Sequence, residues 1–144
     1  MSDLNLIDCD ADPFLPEGWK IEEHRKGGQL EWDPAKVQLY LSPNQKDGKW
    51  MEGNKLRKEL ATKPVLNANV LDFLLVHPQF IPEEWKKDND GNIRFIFFWG
   101  TIYRGSAGYL DVRCLCFYDG EWRWGDYWLG LDWLGSYPAA LLAS

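Results

Sequence analysis

With 144 residues and a formal net charge of −6, the chain is long enough to fold as one domain around a core that needs no disulfide or metal staple. No apolar run is long enough to span a bilayer, and the acidic leader lacks the basic and apolar segments of a signal peptide, so no membrane partner is expected. Cys9, Cys114 and Cys116 are odd in number and lack CxxC spacing, which predicts reduced thiols and a cytoplasmic location.

The charge is unevenly placed. Residues 1–18 hold Asp3, Asp8, Asp10, Asp12 and Glu17 and no Lys or Arg. Residues 1–14 therefore read as a flexible acidic tail, although Leu4, Leu6 and Ile7 give part of it a means of lying on the body. Residues 15–144 form the single domain. The body is nearly neutral and lacks the basic footprint of a nucleic-acid binder.

Residues 15–32 predict a β-hairpin, with Trp19, Ile21 and Glu23 alternating and Gly27-Gly28 as the turn. Asp33-Pro34 has the form of a cap followed by an N1 proline. Val37, Leu39 and Leu41 predict a strand over 36–41, closed by Ser42-Pro43. Asn54 predicts a helix over 55–62 with Leu56 and Leu60 on one face and Pro64 behind it. The strongest helix signal is 67–77: Asn67 is the N-cap, Leu66 staples onto Leu71, and His77-Pro78 ends it. Its side chains are almost all apolar, so burial is expected.

Ile81-Pro82-Glu83-Glu84-Trp85-Lys86 predicts a second short helix and nearly repeats Leu15-Pro16-Glu17-Gly18-Trp19-Lys20. Two uses of a proline-tryptophan anchoring turn account for the match. Asp88 to Asn92 has a calcium-loop flavour but lacks the distal bidentate Glu, so a turn is expected.

Residues 93–133 hold three aromatic-rich runs joined by Gly105-Ser106-Ala107-Gly108 and Asp119-Gly120, and predict a three-stranded antiparallel meander. Asp119-Gly120 favours a type I′ turn. That turn sets Tyr118 opposite Glu121, Phe117 opposite Trp122, Leu115 opposite Trp124 and Arg113 opposite Asp126. The last is an ion pair worth roughly 0.2–1 kcal/mol. The four-residue loop sets Arg104 opposite Tyr109. Both sheet faces are apolar and both need cover. Ser136 predicts a short C-terminal helix over 137–143. The expected fold is α+β: an antiparallel sheet of about five strands, centred on the meander, against two or three short helices.

Chemistry is sparse. GxSxG, GxGxxG and the P-loop pattern are absent. Cys114 and Cys116 share one strand face as small core side chains. With His24 and His77 they lack metal-ligand spacing, so no metal or cofactor is expected. The aromatic content stands out, with nine Trp, six Tyr and seven Phe. One reading is a tryptophan-rich core. The other is an exposed platform drawn from Trp99, Trp122, Trp124, Trp128 and Trp133 with Arg113, Arg123 and Asp126. The acids of 105–144 oppose nucleic acid.

The segments PVLNANVLDFLLVHP, IPEEWK, FWGTIYR and PAALLAS, with PEGWKIEEHRKGGQLEWDP, KVQLYLSPNQ and GNKLRKEL, resemble a group of short uncharacterised bacterial proteins. The resemblance covers nearly everything after the acidic tail. It implies a self-contained bacterial domain and carries no activity.

The reading that follows is a soluble, non-enzymatic binding module, monomer or homodimer, that uses an aromatic sheet face for a protein or small ligand. The alternatives are a small enzyme built on Asp111, Arg113, Asp126 and the histidines, or a structural protein that buries the face by self-association. A concave pocket where a titratable residue with a perturbed pKa meets a second polar group marks the enzyme; an exposed aromatic patch of at least a few hundred Å² without such a pair marks the module.

Overall fold

The computed structural model describes residues 5–143. The first strands are β1 (Leu6–Asp8), β2 (Lys20–His24), β3 (Gln29–Glu31), β4 (Val37–Tyr40) and β5 (Met51–Glu52). Helices α1 (Gly53–Leu60) and α2 (Ala68–Val76) follow. Then come β6 (Ile96–Phe97), β7 (Thr101–Arg104), β8 (Leu110–Tyr118), β9 (Glu121–Trp128), β10 (Asp132–Trp133) and β11 (Ala139–Leu142).

β8 is the spine, buried from Asp111 to Cys116. The turn after it has φ of 53° at Asp119 and 81° at Gly120, the double positive φ that a type I′ turn demands. The β8–β9 register is the expected one, including Leu115 opposite Trp124 and Arg113 opposite Asp126.

On the other edge of β8 the expected single strand is broken in two. β6 pairs with Cys114 and Leu115, while β7 pairs with Leu110 and Asp111. Between them the Gly100 amide donates to the Leu66 carbonyl at 2.9 Å. A Cβ on Gly100 would come within 2.8 Å of the Asn67 backbone. Only glycine fits that approach, and it draws the chain off the ladder. Arg104 therefore faces Leu110, not Tyr109. Beyond the break β7 carries β2, and β6 carries β11 in parallel with β4 outside it. The sheet is a curled, seven-stranded, mixed one, neither purely antiparallel nor a plain meander.

Three further expectations are corrected. Gly27-Gly28 closes no hairpin: β2 pairs with β7, and β3 pairs with β1. The reason lies in the N-terminal stretch, which is not a solvated tail over its described part. Ile7 and Cys9 are buried in the core beside Leu71 and Trp32. The Cys9 amide donates to the Gly28 carbonyl at 2.9 Å, and the Gly28 amide to Asp10 Oδ1 at 2.8 Å. Leu4 and Asp3 lie outside the described residues. Finally, 139–142 is a strand. The slot between β4 and β6 offers ladder partners, and the Leu142 amide also reaches the Pro64 carbonyl at 3.0 Å. Helix propensity differs among residues by only tenths of a kcal/mol, too little to oppose those bonds.

The two helices form where expected. α2 is capped by Asn67, whose side chain accepts from the Asn69 amide at 3.0 Å. α1 is capped by Glu52 in place of Asn54. They cover opposite faces of the sheet. α2 lays Val70, Leu71 and Leu74 on Ile96, Phe98 and Leu115. α1 lays Leu56 and Leu60 among Phe97, Trp99, Val112 and Trp133. α2 is not buried all round, since Val76 at its end is 72% exposed. In place of a helix over 81–86 there is a 3-10 turn, Glu83–Trp85. The two proline-tryptophan turns match in structure: the Trp19 amide donates to the Pro16 carbonyl at 3.0 Å, and the Trp85 amide to the Pro82 carbonyl at 3.1 Å. Each delivers its indole onto an aromatic neighbour, Tyr103 for Trp19 and Trp32 for Trp85. No helix among the described residues is long and apolar enough to cross a membrane.

Candidate functional site at the corner of β7, β8 and β9

Alternation along β8 and β9 puts Asp111, Arg113, Leu115, Trp124, Asp126 and Trp128 on one face. Cross-strand pairing then aligns Tyr103, Asp111 and Trp128 in one row and Arg113 with Asp126 in the next. α2 covers the far end of this face. The near end is covered by the segment from Phe14 to Trp19, so polar groups gather there beneath an aromatic rim.

Arg113 is buried, and its expected partner Asp126 is not the one it takes. Its Nη1 and Nη2 donate to Asp72 Oδ2 and Oδ1, both at 2.9 Å. Asp72 arrives from α2, directly above the strand, and the parallel two-bond geometry favours it over a neighbour on the ladder. The guanidinium carbon lies 4.2 Å from the Trp124 ring centre and 5.0 Å from that of Phe14. Burial works against the charge, but Asp72 outweighs it and holds the guanidinium pKa above its ordinary value.

Displaced from Arg113, Asp126 is left with a carboxyl for a neighbour. Asp111 is 1% exposed, and Asp126 stands in the adjoining row on the same face. Burial, and then Asp126, push the Asp111 carboxyl up to about 8. Asp111 Oδ1 and Arg113 Nε have no hydrogen-bond partner among the described residues. Tyr103, buried beside them, donates its hydroxyl to the Phe14 carbonyl at 2.7 Å and so ties down the covering segment.

The rim is aromatic and partly open. Trp124 is 38% exposed, Trp128 42% and Tyr109 55%. Trp124 meets the edges of Phe14 and Trp19 at 6.3 and 6.2 Å. Trp128 stacks on Tyr109 at 4.5 Å. Asp126, exposed, stands between the two tryptophans. β9 pairs only with β8 among the described strands, so this array lies on a sheet edge.

The other residues named from the sequence lie elsewhere. Trp99 and Trp133 are buried against each other, 4.8 Å apart, under α1. They do not reach the surface, because Leu56 and Leu60 of α1 cover the cluster they form with Phe97. Trp122 is half-buried against Phe117 and the α2 cluster. Arg123 points to the opposite face and pairs with Glu121 at 2.9 Å. Of the eight named side chains, Arg113, Trp124, Asp126 and Trp128 come together, with Arg113 beneath the other three. Sequence reasoning missed Asp72, Tyr103, Phe14, Trp19 and Tyr109. Asp72 alone carried a signal, as the single acid in the apolar run of α2.

Neither histidine joins the site. His24 Nε2 lies 3.2 Å from the Cys9 carbonyl and Nδ1 2.8 Å from Thr101 Oγ1. A carbonyl only accepts, so Nε2 carries the hydrogen and Nδ1 accepts from Thr101. Thr101 Oγ1 in turn accepts from the Ala68 amide at 2.9 Å. All of these groups are spent on holding the N-terminal segment to α2. His77 packs between Phe73 and Phe80. Burial, then Asp10 and Asp8, push the Cys9 thiol up to about 11. Burial also raises Cys114 and Cys116; none of the three is a ready nucleophile. Asp88 Oδ1 accepts from the Asp90 and Asn92 amides, both at 2.9 Å, and closes a turn. Among the described residues no three His, Cys, Asp or Glu converge as a metal site would require. A groove of about 770 Å³ along Trp32, Phe80 and Pro82 has Glu84 as its one charged lining residue among the described residues.

Comparison with protein-family models, curated proteins and solved structures finds no match to this chain. The functional reading therefore rests on the site itself.

Proposed function

We propose that the protein is a binding module whose ligand lies on the aromatic rim at the β9 edge. One observation carries this reading. Trp124 and Trp128 stay open to solvent on one strand face with Asp126 between them, while Trp32, Trp85, Trp99 and Trp133 are buried. Both open rings are steadied by neighbours, Trp124 edge-on by Phe14 and Trp19, Trp128 by the stacked Tyr109. Such ring contacts are worth roughly 0.5–1.5 kcal/mol each. A ring already held in place loses little freedom when a ligand lands on it.

A second reading, acid catalysis at the Asp111–Asp126 pair, draws support from two carboxyls in adjoining rows of one face and the raised Asp111 pKa. It ranks lower because Asp111 is sealed beneath the rim, and Asp126 alone is placed to touch a substrate.

The test is a ligand and partner screen read by the indole N–H signals of the ¹⁵N-labelled chain. Binding on the rim moves the Trp124 and Trp128 signals, and Trp124→Ala with Trp128→Ala abolishes the response while the melt stays cooperative. A screen in which hits move other tryptophans and leave these two unmoved sinks the reading. So does a dimer in solution that buries both rings.

A further inference from the structure

We propose that the rim takes a monovalent organic cation, a guanidinium or alkylated ammonium group, seated over Asp126 between the Trp124 and Trp128 rings. This deepens the binding-module reading and rests on it.

Three observations converge. The first is charge. Asp126 is exposed and has no Lys or Arg partner among the described residues, because the arginine across the ladder is committed to Asp72. Its neighbour on the same face is another carboxyl, Asp111, which brings no balancing positive charge. A cation answers that charge, and an anion or phosphate is repelled by it.

The second is ring geometry. Trp124 and Trp128 sit two residues to either side of Asp126, on the same strand face. Strand residues rise about 3.4 Å each, so the two ring bases are roughly 14 Å apart with the carboxylate midway. A compact cation seated over the carboxylate has an indole on either side of it along the strand. Cation–π attraction of this kind operates within about 6 Å of a ring centre. The chain already uses it on the inner side, where the Arg113 guanidinium lies 4.2 Å from the Trp124 ring centre. That arginine fills the underside and leaves the outer, exposed side for a ligand.

The third is an unspent acceptor. Asp111 Oδ1 is buried with no hydrogen-bond partner among the described residues. Asp111 belongs to the same row as Trp128, so these unspent lone pairs add to the negative potential beneath that end of the rim without themselves touching a ligand.

The experiment titrates the full ¹⁵N-labelled chain with N-acetyl-L-arginine amide and with tetramethylammonium chloride. Neutral tert-butanol and methyl glucoside are run beside them, with sodium chloride matching ionic strength. Both cations are expected to move the Trp124 and Trp128 indole signals saturably, and the neutral compounds to leave them in place at equal concentration. Asp126→Asn and Trp128→Leu are each expected to weaken cation binding at least tenfold. Trp50→Ala, at an exposed tryptophan outside the rim, should leave it unchanged. If the neutral compounds move the same indoles as strongly and Asp126→Asn changes nothing, the cation inference falls while the rim remains a binding surface. If no probe moves either indole, the cation inference falls, and the screen described above decides the rim by itself. Should Asp126→Asn fail to fold, Trp128→Leu alone decides, since unchanged affinity there overturns the proposal.

Discussion

Arg113 and Asp72 form a two-bond pair, 2.9 Å at each contact, across a sequence separation of 41 residues. The arginine side chain is 1% exposed and the aspartate 32%. This pair locks α2 to β8 and, by taking Arg113 away from Asp126, leaves Asp111 and Asp126 in adjoining rows of one face.

Removing one partner strands the other. Asp72→Ala is expected to cost about 3 kcal/mol in a denaturant melt, because a buried guanidinium loses its counter-charge. Replacing both residues, Asp72→Leu with Arg113→Met, should cost less than the sum of the single changes. Additive losses would mean that the pair contributes nothing as a pair.

The Asp111 carboxyl gives stability a pH dependence of definite sign. Its pKa is raised from 3.8 to about 8, so the folded chain binds the proton more tightly than the unfolded one. The stabilisation is full below the unfolded value and is lost as pH rises from about 4 to about 8. The Arg113 guanidinium, its pKa held above the ordinary value by Asp72, stays charged through that window, and Tyr103, raised first by burial, stays neutral. Asp111→Asn keeps the shape and removes the titration. Its melting midpoint should gain on the parent as pH rises from 5 to 8, and a constant gap across that range would refute the raised Asp111 pKa.

Leu74 is fully buried at 0% exposure while Val76 is 72% exposed on the same helix. Leu74→Ala should therefore cost roughly 2–5 kcal/mol. Val76→Ala should stay within about 0.5 kcal/mol. Chemical denaturation of the two variants side by side checks the orientation of α2.

Ile7 lies in the main core at 4% exposure, on the strand paired with β3. Ile7→Ala should cost roughly 2–5 kcal/mol, and deletion of residues 1–12 should lower the melting midpoint. An unchanged midpoint on deletion would mean that β1 is not part of the stable fold.

Much of the fold was legible because its signals are local. The type I′ turn at Asp119-Gly120, the α2 cap at Asn67, the α1 face of Leu56 and Leu60 and the β4 strand each depend on residues within a few positions of one another. Local sterics and side-chain period decide them. The β8–β9 register follows from the turn alone, so Trp124, Asp126 and Trp128 could be placed on one face with Arg113 from sequence.

Other choices were set by competition between distant segments. Ala139 to Leu142 looks helical in isolation and becomes a strand because β4 and β6 offer it a ladder. Gly27-Gly28 looks like a hairpin turn, yet β1 claims β3, and β2 goes to β7. The break at Gly100 depends on Asn67 lying against it, and the burial of Trp99 depends on the cover that α1 brings. Most of the site belongs to the same class. Arg113 had Asp126 as its evident partner, and the approach of α2 gave it Asp72. The sequence by itself determined which side chains share a strand face. Tertiary structure decided which of them are buried, which charges pair and which rings remain in solvent, because burial and ion pairing are settled by elements that meet only when the whole chain is folded.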